Sequence, residues 1–390
     1  MYSPQASFRN ILSPVKAEDF FATDYRRKIR YIPGPLSKFS GLFDWRDLNQ
    51  MLSFDKVWDS HNLKMVIDGD PIPPVQYCPN GVLDRAILSQ FLDQGATLAL
   101  TGCESLSDGS YALSKSIQAA TGAVCGGNLY FSQKAHAGFR PHFDVMDVIV
   151  IQISGEKRWN IYQTQFENPV FKPGFHHMSF PRDYHEQNKG DVDAEITMTP
   201  GDVLYIPRGK YHAALAVSDA SLHLTFGIEP AKGYDYLQAL IDIVPTDPLF
   251  RQEIPHFEDV AAHQDYLARL ADKMHQMMSD PELMAQMRDE QRRRAYDPVP
   301  SFSLPHPRRH STYRVRVTGS KLVRRGKSWR LTTPFGQCEL AENAVPIAEW
   351  ALLSDLFSHD DLTAAFNDVD PQNLSAILDV LTQAGLIDVI

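Results

Sequence analysis

Residues 142–162 read HFDVMDVIVIQISGEKRWNIY, and the fold turns on how this stretch is laid out in space. A β-branched run at 148–153 stops at Ser154-Gly155, and a second alternating run follows through Tyr162. Such runs, split by a short turn, predict strand, turn and strand. Residues two apart in a strand share a face. His142 and Asp144, opening the first run, are therefore expected to project together into one interior. Three other His-x-acid triplets occur, at His256, His263 and His359. They fall in helical or loop stretches, where residues two apart diverge. Only the first triplet opens a β run.

A third ligand should come from a distant strand, and PGDVLYIPRGKYHAAL (200–215) supplies His212 just after a Pro207-Arg208-Gly209 turn. Two imidazoles and one carboxylate leave open positions on an octahedral metal, the facial triad of non-heme iron oxygenases. A structural His142–Asp144 hydrogen-bonded pair is the bland alternative, and the context of His212 weighs against it. If Ser154-Gly155 are the central residues of a hairpin turn, Gln152 faces Lys157. Gln152 shares the parity of His142 and Asp144, so Lys157 would enter the same interior. A lysine there is costly unless it meets an anion; the distal carboxylate of 2-oxoglutarate is one. Asn128 and Tyr130, two apart in GGNLYFSQ, could complete that site, or, for Asn128, simply satisfy a strand end. Trp159 is expected to line the barrel, and His223 in SLHLTFGI reads as a satisfied core histidine. His176, His177 and His185 read as ordinary surface histidines.

Around this centre the chain falls into three parts. Residues 1–230 hold short β runs flanked by helical stretches, with Asp44 expected to cap FDWRDLNQMLS. Residues 231–298 are amphipathic and nearly free of glycine, a helical segment suited either to an oligomer contact or to packing within the chain. Residues 299–390 follow a proline-containing link and combine small strands with three short helices, a winged-helix-like pattern. Residues 331–390 contain ten acidic and no basic residues, while the nine Lys or Arg of this part lie between Arg308 and Arg330. A DNA-reading surface needs clustered basic residues on the reading element, so nucleic acid is not the expected partner. The net charge of −10 points the same way. No apolar run reaches the length of a membrane span, and MYSPQASFRNILSPVKAEDFF lacks a signal-peptide core. The four scattered cysteines form no CxxC; reduced thiols in a cytoplasmic protein are the expectation.

The stretch from Asn128 to Tyr162, with PGDVLYIPRGKYHAAL and SLHLTFGI, resembles the JmjC-type (cupin-4) ribosomal oxygenases, and the resemblance covers essentially the whole chain. It implies a mainly β fold with helices: a double-stranded β-helix (cupin, jelly-roll) barrel, a helical dimerisation segment and a C-terminal winged helix. It further implies Fe(II) on His142, Asp144 and His212, and 2-oxoglutarate on Lys157 with help from Tyr130. The implied activity is hydroxylation of an amino-acid side chain in a protein or peptide, either a ribosomal protein or a biosynthetic precursor peptide, by a homodimer. N-demethylation would use the same chemistry on a methyl carbon. The long segment 163–195, expected at the barrel mouth, departs from the family pattern. A non-oxygenase metal cupin, which would not need Lys157, and a catalytically silent peptide-binding protein are the rival readings.

Overall fold

The computed structural model describes residues 6–133, 138–296, 312–316, 319–326 and 328–389. The chain divides into two compact units, residues 2–231 and 232–390.

In the first unit an eight-stranded antiparallel sheet faces a three-stranded one. Within the large sheet Asp147–Ser154 is flanked by Val203–Ile206 and Ala220–Glu229. Beyond Ala220–Glu229 come Val124–Gln133, Thr97–Thr101 and Leu63–Ile67. Lys157–Gln165 is the middle strand of the small sheet, between Lys210–Ala216 and Val192–Met198.

The Asp147 strand is apolar on both faces, and its two parities do different work. Ile149 and Ile151, with Tyr205, Leu224 and Phe226, pack against the helices Ala17–Thr23 and Asp108–Thr121 through Phe20, Leu113 and Ile117. Val148 and Val150, with Leu204 and Ile206, face inward and meet Trp159, Ile161 and Met198 of the small sheet. The result is a cupin barrel whose interior is apolar between the sheets. The expected cap is present: Asp44 accepts backbone N–H groups of Arg46 and Asp47, and Asp47 reciprocates at the Asp44 N–H.

Two details differ from the sequence reading. The Asp147 and Lys157 strands do not form a hairpin. The turn between them, with Gly155 at φ +65°, carries the chain from one sheet to the other, where each strand finds two partners of its own. And the His-Phe-Asp triplet precedes its strand, which begins at Asp147. His142 instead forms an isolated antiparallel bridge directly with His212.

The second unit holds the helices Gly233–Ile243, Val260–Met278 and Pro281–Tyr296, then two three-stranded sheets and the helices Val345–Leu352, His359–Ala365 and Pro371–Gln383. Leu331, Ile347, Ala351, Leu362, Leu381 and Ile387 share one core. The helix Val345–Leu352 stops short of Leu356–Ser358, which pairs as a strand with Thr312–Val315. The proline-containing link at 297–310 lies outside the described residues. Among the described residues no helix is long and apolar enough to cross a membrane.

Candidate metal centre and anion site

The bridge between His142 and His212 builds the centre. Each residue's N–H donates to the other's carbonyl, at 3.1 and 2.9 Å, and the Gly209 N–H donates to the Asp144 carbonyl at 2.8 Å. Phe143, between the two ligand candidates, points the other way and is fully buried against Tyr211, Tyr162, Phe166 and Phe180. That packing leaves His142 and Asp144 facing His212. His142 Nε2 lies 3.9 Å from Asp144 Oδ1, and His212 Nε2 lies 3.5 Å from Asp144 Oδ2. The three donor atoms sit within 4.8 Å of one another.

The tautomers suit a metal. His142 Nδ1 lies 2.7 Å from the Arg140 carbonyl, and His212 Nδ1 lies 2.9 Å from the Lys210 carbonyl. A carbonyl only accepts, so both Nδ1 atoms carry the proton and both Nε2 lone pairs face Asp144. Burial, aided by His142, pushes the His212 imidazole down to about 4, so it is neutral and ready to ligate. Burial alone would raise the Asp144 carboxyl, but the imidazoles of His142, His212 and His177 hold it below its ordinary value. Further support comes from Asp147, fully buried, whose Oδ1 accepts the Arg208 N–H at 2.8 Å and pins the turn leading to His212.

Deeper in the barrel lies Lys157, 3% exposed. Its Nζ donates to Ser132 Oγ at 2.9 Å and stands 3.5 Å from His223 Nδ1. Among the described residues no carboxylate pairs with it, and burial pushes its ammonium down to about 7. Tyr130 stacks on His223 with ring centroids 4.9 Å apart, and its ring lies 6.0 Å from the Lys157 Nζ. Asn128 hydrogen-bonds the Tyr130 side chain, while burial raises the Tyr130 phenol. Trp159, barrel lining as expected, has its ring 5.9 Å from His212 and 5.6 Å from His223, so it separates the two parts of the site. Thr225 Oγ1, Gln152 Oε1 and Trp159 Nε1 are buried without a hydrogen-bond partner. Of these, the Thr225 hydroxyl and the Trp159 N–H can donate to a polar guest, and a buried ammonium favours an anionic one.

Lys157 thus reaches the interior predicted for it, but not by the predicted route: parity across a hairpin cannot hold where the strands are in different sheets. Its inward position follows from its place at the start of the small sheet's central strand. Two residues, Ser132 and Thr225, escaped the sequence reading, and His223 reads there only as a satisfied core histidine. Ser132 continues the parity of Asn128 and Tyr130 and was legible. His223 is buried as expected, pairs in register with both Tyr130 and Gln152, and its Nδ1 stands 3.5 Å from the Lys157 Nζ. Thr225, opposite Asn128, carried no local signal.

The mouth segment also differs from expectation. It contains a helix, Arg182–Asn188, and its histidines are not all surface groups. His185 is buried, with Nδ1 3.0 Å from the Tyr211 hydroxyl and Nε2 donating to the His177 carbonyl at 2.8 Å. The His177 ring lies 5.5 Å from that of His142.

Residues 107–236 match the JmjC domain. Ribosomal oxygenase 1 of Danio rerio is 26% identical over 220 residues, covering 56% of this chain and 39% of that protein. The bifunctional lysine-specific demethylase and histidyl-hydroxylase NO66 of Branchiostoma floridae is 25% identical over 256 residues, covering 64% of this chain and 38% of its own length. This chain therefore spans well under half of either relative. The ribosomal oxygenase YcfD of Escherichia coli, in complex with cobalt and 2-oxoglutarate, superposes with a TM-score of 0.55 at 16% identity, covering 96% of this chain and 98% of that one. At that identity the likeness concerns the fold.

Proposed function

We propose that this chain, with a JmjC domain over residues 107–236, is an Fe(II)- and 2-oxoglutarate-dependent oxygenase that hydroxylates an amino-acid side chain of a protein or peptide. The observation that carries this reading is the buried Lys157, with no carboxylate partner among the described residues, in the same interior as the His142, Asp144 and His212 donors. A simple metal cupin has no use for that cation. The relatives' names, a histidyl-hydroxylase and two ribosomal oxygenases, favour a protein substrate.

His142, Asp144 and His212 would hold the metal: two neutral imidazoles and a carboxylate suit Fe(II) and leave positions open. Bound Fe(II) would supply the oxidising chemistry, turning 2-oxoglutarate, O₂ and a substrate C–H bond into succinate, CO₂ and a C–OH group. The chain's own part is geometric and electrostatic. Lys157 would fix the distal carboxylate, with the Tyr130 hydroxyl and Ser132 sharing it. Asn128 orients the Tyr130 phenol. His223, kept neutral by burial, adds no competing charge. Trp159 walls the dry interior between carboxylate site and metal, which strengthens every polar contact there. The direct test is succinate formation and O₂ uptake with Fe(II) and 2-oxoglutarate; neither being detected, with peptide present, would overturn the reading.

The remaining parts extend the proposal. Residues 231–298 are assigned as a dimerisation segment: Leu237, Ile241, Leu267 and Met278 on its helices are exposed, more apolar surface than a lone chain usually leaves open. Residues 299–390 are assigned as a winged-helix-like domain that docks protein rather than nucleic acid. The free state of all four cysteines supports a cytoplasmic working place.

A further inference from the structure

The segment between Gln165 and Val192 is anchored as a plate beside the metal centre, not left as a loose loop. Phe166 donates its N–H to the Gly209 carbonyl at 2.8 Å. Phe166 stacks on Phe143, Phe180 stacks on Tyr184, and Phe166 meets Phe180 at a tilt. His185 holds the His177 carbonyl. Asp70 reaches Arg182 of the plate and Arg140 of the ligand lead-in at 3.4 and 3.1 Å.

Onto this anchored base the chain sets three large apolar side chains facing solvent: Phe171, 66% exposed, Phe175, 53%, and Met178, 59%. Three such residues within eight positions are unusual for a surface with nothing to bind. Phe171 is linked to the chemistry by three ring contacts. Phe171 stacks on His176 at 4.8 Å, His176 meets His177 at 6.5 Å, and His177 meets His142 at 5.5 Å.

We propose that Phe171, Phe175 and Met178 form the substrate-docking surface, and that it takes an aromatic or long aliphatic side chain flanking the modified residue of the peptide. This rests on the oxygenase reading and deepens it by naming a substrate feature. The three ring steps bound the separation: at about 3.3 Å per residue, an extended peptide crosses them in at most about five residues. The preferred apolar residue therefore lies within about five positions of the oxygenated one.

The test uses the full chain loaded with Mn(II) and 2-oxoglutarate, immobilised and exposed to a library of random dodecapeptides. Retained peptides are sequenced; a parallel reaction with Fe(II) in air is read by mass spectrometry for the gain of one oxygen atom. Phe, Tyr, Trp, Leu or Met enriched among retained peptides, with at least a ten-fold loss in the F171A/F175A/M178A variant while 2-oxoglutarate affinity stays within about two-fold, is the expected result. Retention of that kind without oxygen gain would leave the surface standing and sink the oxygenase reading. No apolar enrichment, or the same enrichment in the variant, would overturn the proposal. So would a change in the variant's mass by light scattering without a change in retention, since the face would then cover a second copy of the chain.

Discussion

At Lys157 the chain carries a cation that none of its described carboxylates neutralises, and the consequences are measurable. Lys157→Ala should leave metal binding nearly intact and weaken 2-oxoglutarate binding by about 3–5 kcal/mol, a loss of roughly a hundred-fold to a few thousand-fold. An anaerobic titration of the metal-to-ligand charge-transfer band reads it, and an unchanged titration would place the cation elsewhere. The pH dependence has a definite sign. With its ammonium pushed down to about 7 by burial, the empty site is half deprotonated near neutrality, while a bound carboxylate holds the proton on. Binding therefore takes up a proton, and the dissociation constant should rise about five-fold between pH 7 and 8. Calorimetry in buffers of different ionisation heat measures that uptake directly; none at pH 8 would contradict it. At the metal, His142→Ala or Asp144→Ala removes one of three donors. Iron content should fall to a small fraction with the circular dichroism spectrum preserved, and full occupancy in both variants would sink the assignment.

Among the elements, the turn before His212 does more than reverse the chain. Gly209 has φ +80°, and a Cβ there would lie 1.9 Å from the Phe166 carbonyl oxygen. Its N–H holds the Asp144 carbonyl and its own carbonyl accepts from Phe166, both at 2.8 Å. One glycine thus ties the ligand lead-in, the plate and the His212 strand together. Gly209→Ala should cost about 1–3 kcal/mol of stability and also lower metal affinity, because Asp144 and His212 move with the turn. Gly174→Ala is the control: φ is +84° with open space around the added methyl, so about 1–2 kcal/mol is lost and metal binding stays. Urea midpoints and metal titrations of the pair separate the two; equal metal affinity in both variants would remove the turn from the site's support.

For the whole molecule, the open apolar residues of the 232–296 helices predict a dimer at micromolar concentration, read by light scattering. Ile241, 64% exposed, and Leu267, 61%, are the test positions: I241D/L267D should give a monomer that still binds 2-oxoglutarate. A monomeric parent chain would count against the segment's proposed role. The charge distribution of the last part predicts no gel shift of a random-sequence duplex by the full chain at near-physiological salt. Phosphate contacts supply most non-specific affinity and require Lys or Arg at the interface. The helices from Val345 to Gln383 carry none. Micromolar binding that weakens steeply with salt would overturn that expectation.

The residue types of the centre were legible because their signals are local. A β-branched run after His142-Phe143-Asp144, a turn before His212, and the parity of Asn128 and Tyr130 are properties of neighbours along the chain, and alternation alone relates them to a common face. So were the Asp44 cap and the change of character at residue 231. What alternation cannot specify is which strand lies beside which. The bridge of His142 to His212, the allotment of the Asp147 and Lys157 strands to different sheets, and the meeting of Lys157 with His223 all join residues 66 or more positions apart or depend on such pairings. The same holds for the plate: its histidines looked like surface groups because the segment has no period, and only packing against Phe143 and Tyr211 buries His185. The sequence by itself determined the chemistry available and the faces it could share. Tertiary structure alone decided the pairing, because hydrogen-bonding between strands is indifferent to side-chain identity and is selected by how the apolar faces of the whole chain close on one another.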